Sequence, residues 1–355
     1  MKSLLAQSTR LLTFIAVCVA PCFANSATVS PDDAAIHYSG RFTDDYRFAW
    51  TGCSITTQFD GTTIAAKLKL VAGPNAGVTV VIDGKPHFIE ITREQSEYVL
   101  ADNLQPGIPH TISVYKRSEG SRGTLQFEGF EISDDGKLSP VAALPHKMLA
   151  FGDSITCGYG NEAKEISDGN TIENQNGYMS YAAITARELD AEIMMVCWSG
   201  RGMYRNRQEN HDQQGVLPEL FEQTLPLSAE PQWDHSKFIP EVVIINLGTN
   251  DSATLNGKKS PLDRDAFVAK YIAFIERVQE FTPDAQFFLC IGPMQAGDVP
   301  EWLPQIANQV SNATVVIFPK FANRDEIGGH YHPSVLKDKL MADQLAAAIR
   351  TQMGW

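Results

Sequence analysis

The chain has 355 residues, a formal net charge of −13 and 43% hydrophobic residues, enough length and apolar content for two ordinary domains. The acidic balance disfavours nucleic acid as a partner, since phosphate contacts need Lys and Arg. No Cys-x-x-Cys or Cys/His spacing suggests a zinc site, so no metal and no cofactor is expected.

Lys2 and Arg10 precede an apolar run at 11–20, and small residues follow at Ala24 and Ala27. That succession reads as a signal peptide over 1–27. The run is shorter than the roughly 20 apolar residues of a membrane span. A secreted or periplasmic protein with no membrane attachment after cleavage is expected, an uncleaved anchor being the alternative. Cys53, Cys157, Cys197 and Cys290 then remain, too few for a disulfide scaffold, although one bridge of undetermined pairing is compatible with them. Cys157 reads as a small packing residue at a helix start.

Expected strands follow at 37–42, 49–59, 62–71, 78–82, 87–91, 98–100, 110–116 and 124–132. Asp60-Gly61, Asp83-Gly84, Pro106-Gly107 and Glu119-Gly120 punctuate them as turns. Eight short strands without a convincing helix predict a β-sandwich of jelly-roll type over 28–140. Two prolines and Asp134-Asp135-Gly136 mark 133–145 as the domain boundary.

From residue 146 the period changes. Continuous apolar runs at 148–151, 193–197, 242–247, 287–291 and 315–318 read as parallel strands buried on both faces. Helical stretches lie at 178–189, 263–281, 302–310 and 334–353. In the second of these Phe267, Tyr271, Phe274 and Val278 share one face, and Ser260 with Pro261 reads as its cap and first residue. A three-layer α/β/α domain with a parallel sheet is expected over 146–355.

Four short motifs each follow a strand end: Gly152-Asp153-Ser154-Ile155, Ser199-Gly200-Arg201-Gly202, Gly248-Thr249-Asn250-Asp251 and His330-Tyr331-His332-Pro333. Ligands of an open parallel sheet bind beyond the carboxyl ends of its strands, so the four converge on one edge. Taken singly, each is more commonly a helix cap, a turn or a surface loop. Their joint placement points to chemistry. Serine needs a base to become a nucleophile, and a neutral imidazole is the natural one, which pairs Ser154 with His332. The N–H groups of Ser154 and Gly200 and the side-chain amide of Asn250 would form the oxyanion hole. The chain therefore reads as a serine esterase.

These blocks resemble the GDSL/SGNH hydrolase superfamily, whose Ser, Gly, Asn and His match Ser154, Gly200, Asn250 and His332. The N-terminal β-domain and the runs Gly152-Asp153-Ser154-Ile155-Thr156-Cys157-Gly158-Tyr159-Gly160 and Ile245-Asn246-Leu247-Gly248-Thr249-Asn250-Asp251 are most similar to carbohydrate esterase family 2. That resemblance implies two-domain acetyl esterases acting on plant polysaccharide, with acetylxylan or acetylated glucomannan as substrate and an acetyl-enzyme on Ser154. The superfamily usually carries an aspartate shortly before the histidine. Here Gly329 and His330 stand in those places, and Asp325 and Glu326 are the nearest upstream acids. A Ser–His dyad oriented by a backbone carbonyl is expected, as in some family members, with His330 as the rival base.

An aromatic platform for sugar is expected at Trp302 or Trp198, with Trp233 a further candidate; each alone is more commonly a core residue. The polar stretch 161–176 would wall the cleft. Two alternatives stand beside the acetyl esterase: a broad-specificity lipase or thioesterase of the same superfamily, and a carbohydrate-binding protein with a degenerate hydrolase domain.

Overall fold

The computed structural model describes residues 26–207, 215–253 and 261–355. The expected leader lies almost wholly outside the described residues. Eleven strands follow: β1 (Ser26–Val29), β2 (His37–Ser39), β3 (Arg47–Phe48), β4 (Ser54–Asp60), β5 (Ile64–Ala72), β6 (Ala76–Ile82), β7 (Lys85–Ile91), β8 (Glu97–Ala101), β9 (His110–Lys116), β10 (Thr124–Ser133) and β11 (Lys137–Ser139). They form two antiparallel sheets, β1-β10-β5-β8 with β3 on β10, and β11-β4-β9-β6-β7 with β2 on β4. Period-2 alternation explains them: in β4, Ile55, Thr57 and Phe59 are buried while their neighbours are not.

Three details differ from expectation. The strand expected over 49–59 is broken at Gly52, whose φ of 91° suits glycine and whose Cα faces the Met195 side chain of the second domain. The boundary segment carries β11, which pairs Leu138 with Phe59. β1, at the edge of the first sheet, was not foreseen.

The second domain contains β12 (His146–Gly152), α1 (Tyr181–Glu188), β13 (Ala191–Cys197), α2 (Leu217–Leu220), β14 (Gln223–Leu225), β15 (Ser228–Gln232), β16 (Val242–Asn246), α3 (Arg264–Gln279), β17 (Gln286–Ile291), α4 (Val299–Ala307), β18 (Ala313–Ile317) and α5 (Val335–Met353). Its five-stranded sheet is parallel throughout, in the order β13-β12-β16-β17-β18. Alternate residues serve opposite faces. Met148, Ala150, Ile244 and Phe288 pack with α1 and α5, whereas Leu149, Phe151, Ile245 and Leu289 pack with α3 and α4. The three-layer architecture is the one the apolar runs predict.

Here too some expectations need correction. Residues 153–162 form successive turns, so Cys157 does not start a helix. All four described cysteines are buried and unbridged, with the Cys157 and Cys197 sulfurs 2.7 Å apart. Ser260 lies outside the described residues, and the N-cap of α3 is Asp263, which accepts from the N–H groups of Asp265 and Ala266. α4 begins at Val299, with Pro300 in its first turn, which places Trp302 inside the helix.

The β-domain braces the second domain at the site edge. Glu119 accepts from both the N–H (2.8 Å) and the hydroxyl (2.9 Å) of Ser199. Arg117 pairs with Glu162 and donates to the carbonyls of Gln175 and Glu173. Arg41, buried, donates to the carbonyls of Phe221 and Gln223, at the start of the β14–β15 hairpin.

Candidate active site

In this strand order the chain reverses direction across the sheet between β12 and β16, and open α/β sheets bind ligands at that crevice. Ser154 follows β12 directly and Asn250 follows β16. The turn after β12 is tight because Gly152 has no side chain: a Cβ there would meet Thr156 Oγ1 at 1.9 Å. Asp153, fully buried, steadies the turn by accepting from the Ile155 N–H at 2.9 Å. Burial raises the Asp153 carboxyl to about 7.

His332 comes from the far end of the sheet, just before α5. Its Nε2 lies 2.8 Å from Ser154 Oγ. Its Nδ1 faces the carbonyls of Gly329 (3.3 Å) and His330 (3.2 Å). Carbonyls only accept, so the proton sits on Nδ1 and Nε2 is left with the lone pair that can accept from the serine hydroxyl. The imidazole is 4% exposed. Burial lowers it to about 4, with the two carbonyls pulling the other way. It is therefore neutral over the ordinary pH range.

No carboxylate touches the imidazole among the described residues. Glu326 is buried in an ion pair with Lys337 at 2.7 Å, and the carbonyl, not the side chain, of Asp325 accepts from the Ser334 hydroxyl. His330 does not reach Ser154; its Nδ1 shares a hydrogen bond of 2.9 Å with the Tyr159 hydroxyl.

Gly200 takes φ 82°, and a side chain on it would meet nothing within 4 Å, so its backbone fronts open cleft. Behind it, buried Asp251 accepts from three successive N–H groups, those of Met203, Tyr204 and Arg205. Gly202 is obligatory in that loop, since a Cβ would sit 2.0 Å from the Arg205 carbonyl oxygen. Asn250 donates through Nδ2 to Asp153 Oδ2 (3.0 Å) and to the Arg201 carbonyl (2.9 Å). Both of its N–H bonds are therefore engaged at rest.

Ser154, Gly200, Asn250 and His332 line one cleft of about 610 Å³ together with Tyr159 and Tyr331. The tryptophans do not join them. Trp302 packs from α4 against Phe267 of α3, ring centroids 5.7 Å apart, and Trp198 lies under the Arg201 guanidinium; neither lines the cleft. Trp233 is buried where the β-domain meets the hairpin, beneath Arg41. The stretch 161–176 backs the histidine loop from behind, with Gly169 against the His330 ring. The exposed aromatic of the cleft is instead Tyr331, 63% exposed and adjacent to His332. Its place in the His-Tyr-His-Pro motif was the available signal. Among the described residues no cluster of His, Cys, Asp or Glu could hold a metal ion, and no helix is long and apolar enough to cross a membrane.

A parallel α/β domain that brings a serine, an imidazole and a glycine loop to one cleft defines a serine carboxylic ester hydrolase. Accordingly, residues 150–336 match the GDSL-like Lipase/Acylhydrolase family, and residues 38–141 match the Carbohydrate esterase 2 N-terminal domain. A Cellulase/esterase CelE of Acetivibrio thermocellus is 34% identical over 93% of this chain, which spans only 41% of that longer protein. An acetylxylan esterase / glucomannan deacetylase of Cellvibrio japonicus is 28% identical over 94% of this chain and 93% of its own length. A solved family two carbohydrate esterase from Clostridium thermocellum, in complex with cellohexaose, is 34% identical. It superposes with a TM-score of 0.83 over 90% of this chain and 99% of that one. The chain belongs to carbohydrate esterase family 2.

Proposed function

We propose that the protein removes O-acetyl groups from plant cell-wall polysaccharide, acetylxylan or acetylated glucomannan, through an acetyl-enzyme on Ser154 with His332 as base. The observation that carries this is the 2.8 Å contact between Ser154 Oγ and a lone-pair-bearing His332 Nε2 at the floor of the cleft. His332 Nε2 takes the hydroxyl proton as Ser154 Oγ bonds to the acetyl carbonyl carbon, and the carbonyl electron pair moves onto oxygen. The N–H groups of Ser154 and Gly200, with Asn250 Nδ2, face that oxyanion. Collapse expels the sugar oxygen, which receives the proton from His332. A water then repeats the sequence and releases acetate. The Cellvibrio japonicus relative and the cellohexaose complex favour a glycan over a long acyl chain as the group seated in the cleft. Lys2, Arg10 and the apolar run at 11–20 support action outside the cytoplasm.

The test is acetate release from acetylated xylan and glucomannan, alongside p-nitrophenyl acetate and a long-chain p-nitrophenyl ester. Activity is expected on the acetyl substrates and not on the long chain, and Ser154→Ala should remove it by several powers of ten while the protein stays folded. Preference for the long-chain ester would favour a lipase, and glycan binding with no hydrolysis would favour a degenerate binding protein.

A further inference from the structure

The His332 imidazole is held by groups that belong neither to the nucleophile nor to the oxyanion hole. Tyr159 lies five residues beyond Ser154, and its N–H donates to the Ser154 carbonyl at 3.0 Å, which ties its backbone to the nucleophile's turn. Its ring stacks on His332, centroids 4.1 Å apart at 28°. Its hydroxyl shares the 2.9 Å hydrogen bond with His330 Nδ1. His330 in turn supplies the nearer of the two carbonyls that face His332 Nδ1.

Aiming that carbonyl requires unusual backbone. His330 and Tyr331 take φ of 48° and 62°, two consecutive left-handed residues, neither of them glycine. Such a conformation persists only where surrounding contacts over-determine it. Those contacts are visible. The Gly329 N–H donates to the Gly160 carbonyl at 2.8 Å, and Gly169 lies so close that a Cβ on it would approach His330 Cε1 to 2.7 Å. The Tyr159 hydroxyl meets the same His330 ring at Nδ1.

We propose that Tyr159 is a positioning residue for His332. Through its hydroxyl and His330 it sets the carbonyl that takes the place of an acid, and through its ring it sets the imidazole plane. As His332 accepts the serine proton, the Nδ1–H to that carbonyl becomes a charge-assisted hydrogen bond, and the phenol face lies against the new cation. This inference rests on His332 being the base.

Tyr159 and His330 also line the cleft, so contact with the sugar is the competing role. Steady-state kinetics of Tyr159→Phe, Tyr159→Leu and His330→Gln, each on p-nitrophenyl acetate and on acetylated xylan, separate the two. Tyr159→Phe keeps the stack and loses the hydrogen bond; kcat is expected to fall about tenfold on both esters with KM little changed. Tyr159→Leu loses both contacts and is expected to fall about 10²-fold, and His330→Gln, which retains a polar partner, should lose less kcat than His330→Ala measured beside it. Unchanged kcat in Tyr159→Phe, or a KM effect confined to the polysaccharide, overturns the proposal. Should Tyr159→Leu fail to fold, the Phe variant alone decides. His332→Ala run in parallel keeps the outcomes apart: if it remains active, the dyad itself falls; if it is dead while Tyr159→Phe is unaffected, only the positioning role falls.

Discussion

Asn250 Nδ2 and Asp153 Oδ2 are joined by a 3.0 Å hydrogen bond that links the loop after β16 to the nucleophile's turn after β12. Two of the four motifs, almost a hundred residues apart, are thereby set as one unit. Because the second N–H of Asn250 goes to the Arg201 carbonyl, an arriving oxyanion must share one of these donors.

Asn250→Ala is expected to lower kcat by about 10²–10³ with little change in KM, the usual loss on removing one oxyanion donor. Steady-state kinetics on p-nitrophenyl acetate measure it. An effect on KM alone would make Asn250 a ground-state binding residue.

The buried imidazole gives a pH signature. His332 must be neutral to accept a proton, and burial places its protonation near 4 instead of the ordinary 6.5. The neutral base therefore persists as pH falls through 6.5 and is lost only near 4. The acid limb of kcat/KM, which reports the free enzyme, should fall below about pH 5. A limb at 6.5 or higher would mean that the working imidazole is solvated, contrary to its 4% exposure.

Much of the fold was legible because burial writes itself into periodicity. Period-2 strands gave the two antiparallel sheets, and unbroken apolar runs gave the parallel sheet, as every residue of β16 and β17 is buried. The shared cleft of Ser154, Gly200 and Asn250 was legible because each closely follows a strand end, whereas His332, well beyond β18, was marked by its place just before α5. The β14–β15 hairpin was not legible, since its second strand, Ser-Ala-Glu-Pro-Gln, lacks alternation and its base is held by Arg41 from the other domain. Trp302 was misplaced for a local reason. A proline suits the first turn of a helix, so α4 starts three residues earlier than expected, and Trp302 packs on Phe267 instead of fronting the cleft. Tyr331 stands inside the His-Tyr-His-Pro motif, but its exposure at the cleft comes with positive φ values at two residues that are not glycine, which the motif does not mark.

Tyr331 is accordingly the aromatic to test for sugar contact. Tyr331→Ala should raise KM for acetylated xylan severalfold, since one stacking contact is worth about 1 kcal/mol, and should leave KM for p-nitrophenyl acetate nearly unchanged. Trp302→Ala should instead lower the melting temperature, as a truncated core-facing aromatic does, without a substrate-dependent KM change. Thermal melts and kinetics on both substrates distinguish the two residues; the reverse pattern would restore Trp302 as the platform.

The missing acid yields the last prediction. If backbone carbonyls orient His332, no single Asp or Glu substitution should match the loss on removing the imidazole. In a triad, losing the acid leaves the wrong tautomer and drops kcat by about 10⁴. Asp325 has an exposed side chain, so Asp325→Asn should keep nearly full activity. Glu326 is different: its carboxylate is buried against Lys337 and also accepts from the Ala322 N–H. Glu326→Gln would leave the Lys337 charge buried and unpaired, which is destabilising, and the melting temperature should fall by about 5 °C or more. Its kcat at a temperature where the protein is folded should stay within about tenfold of the parent, because Glu326 touches the loop and not the imidazole. His332→Ala, by contrast, should abolish turnover with the melt preserved. Kinetics and melts of the three variants on one acetyl ester make the comparison. A collapse of kcat in Glu326→Gln comparable to that in His332→Ala, in protein shown to be folded, would replace the dyad with a triad.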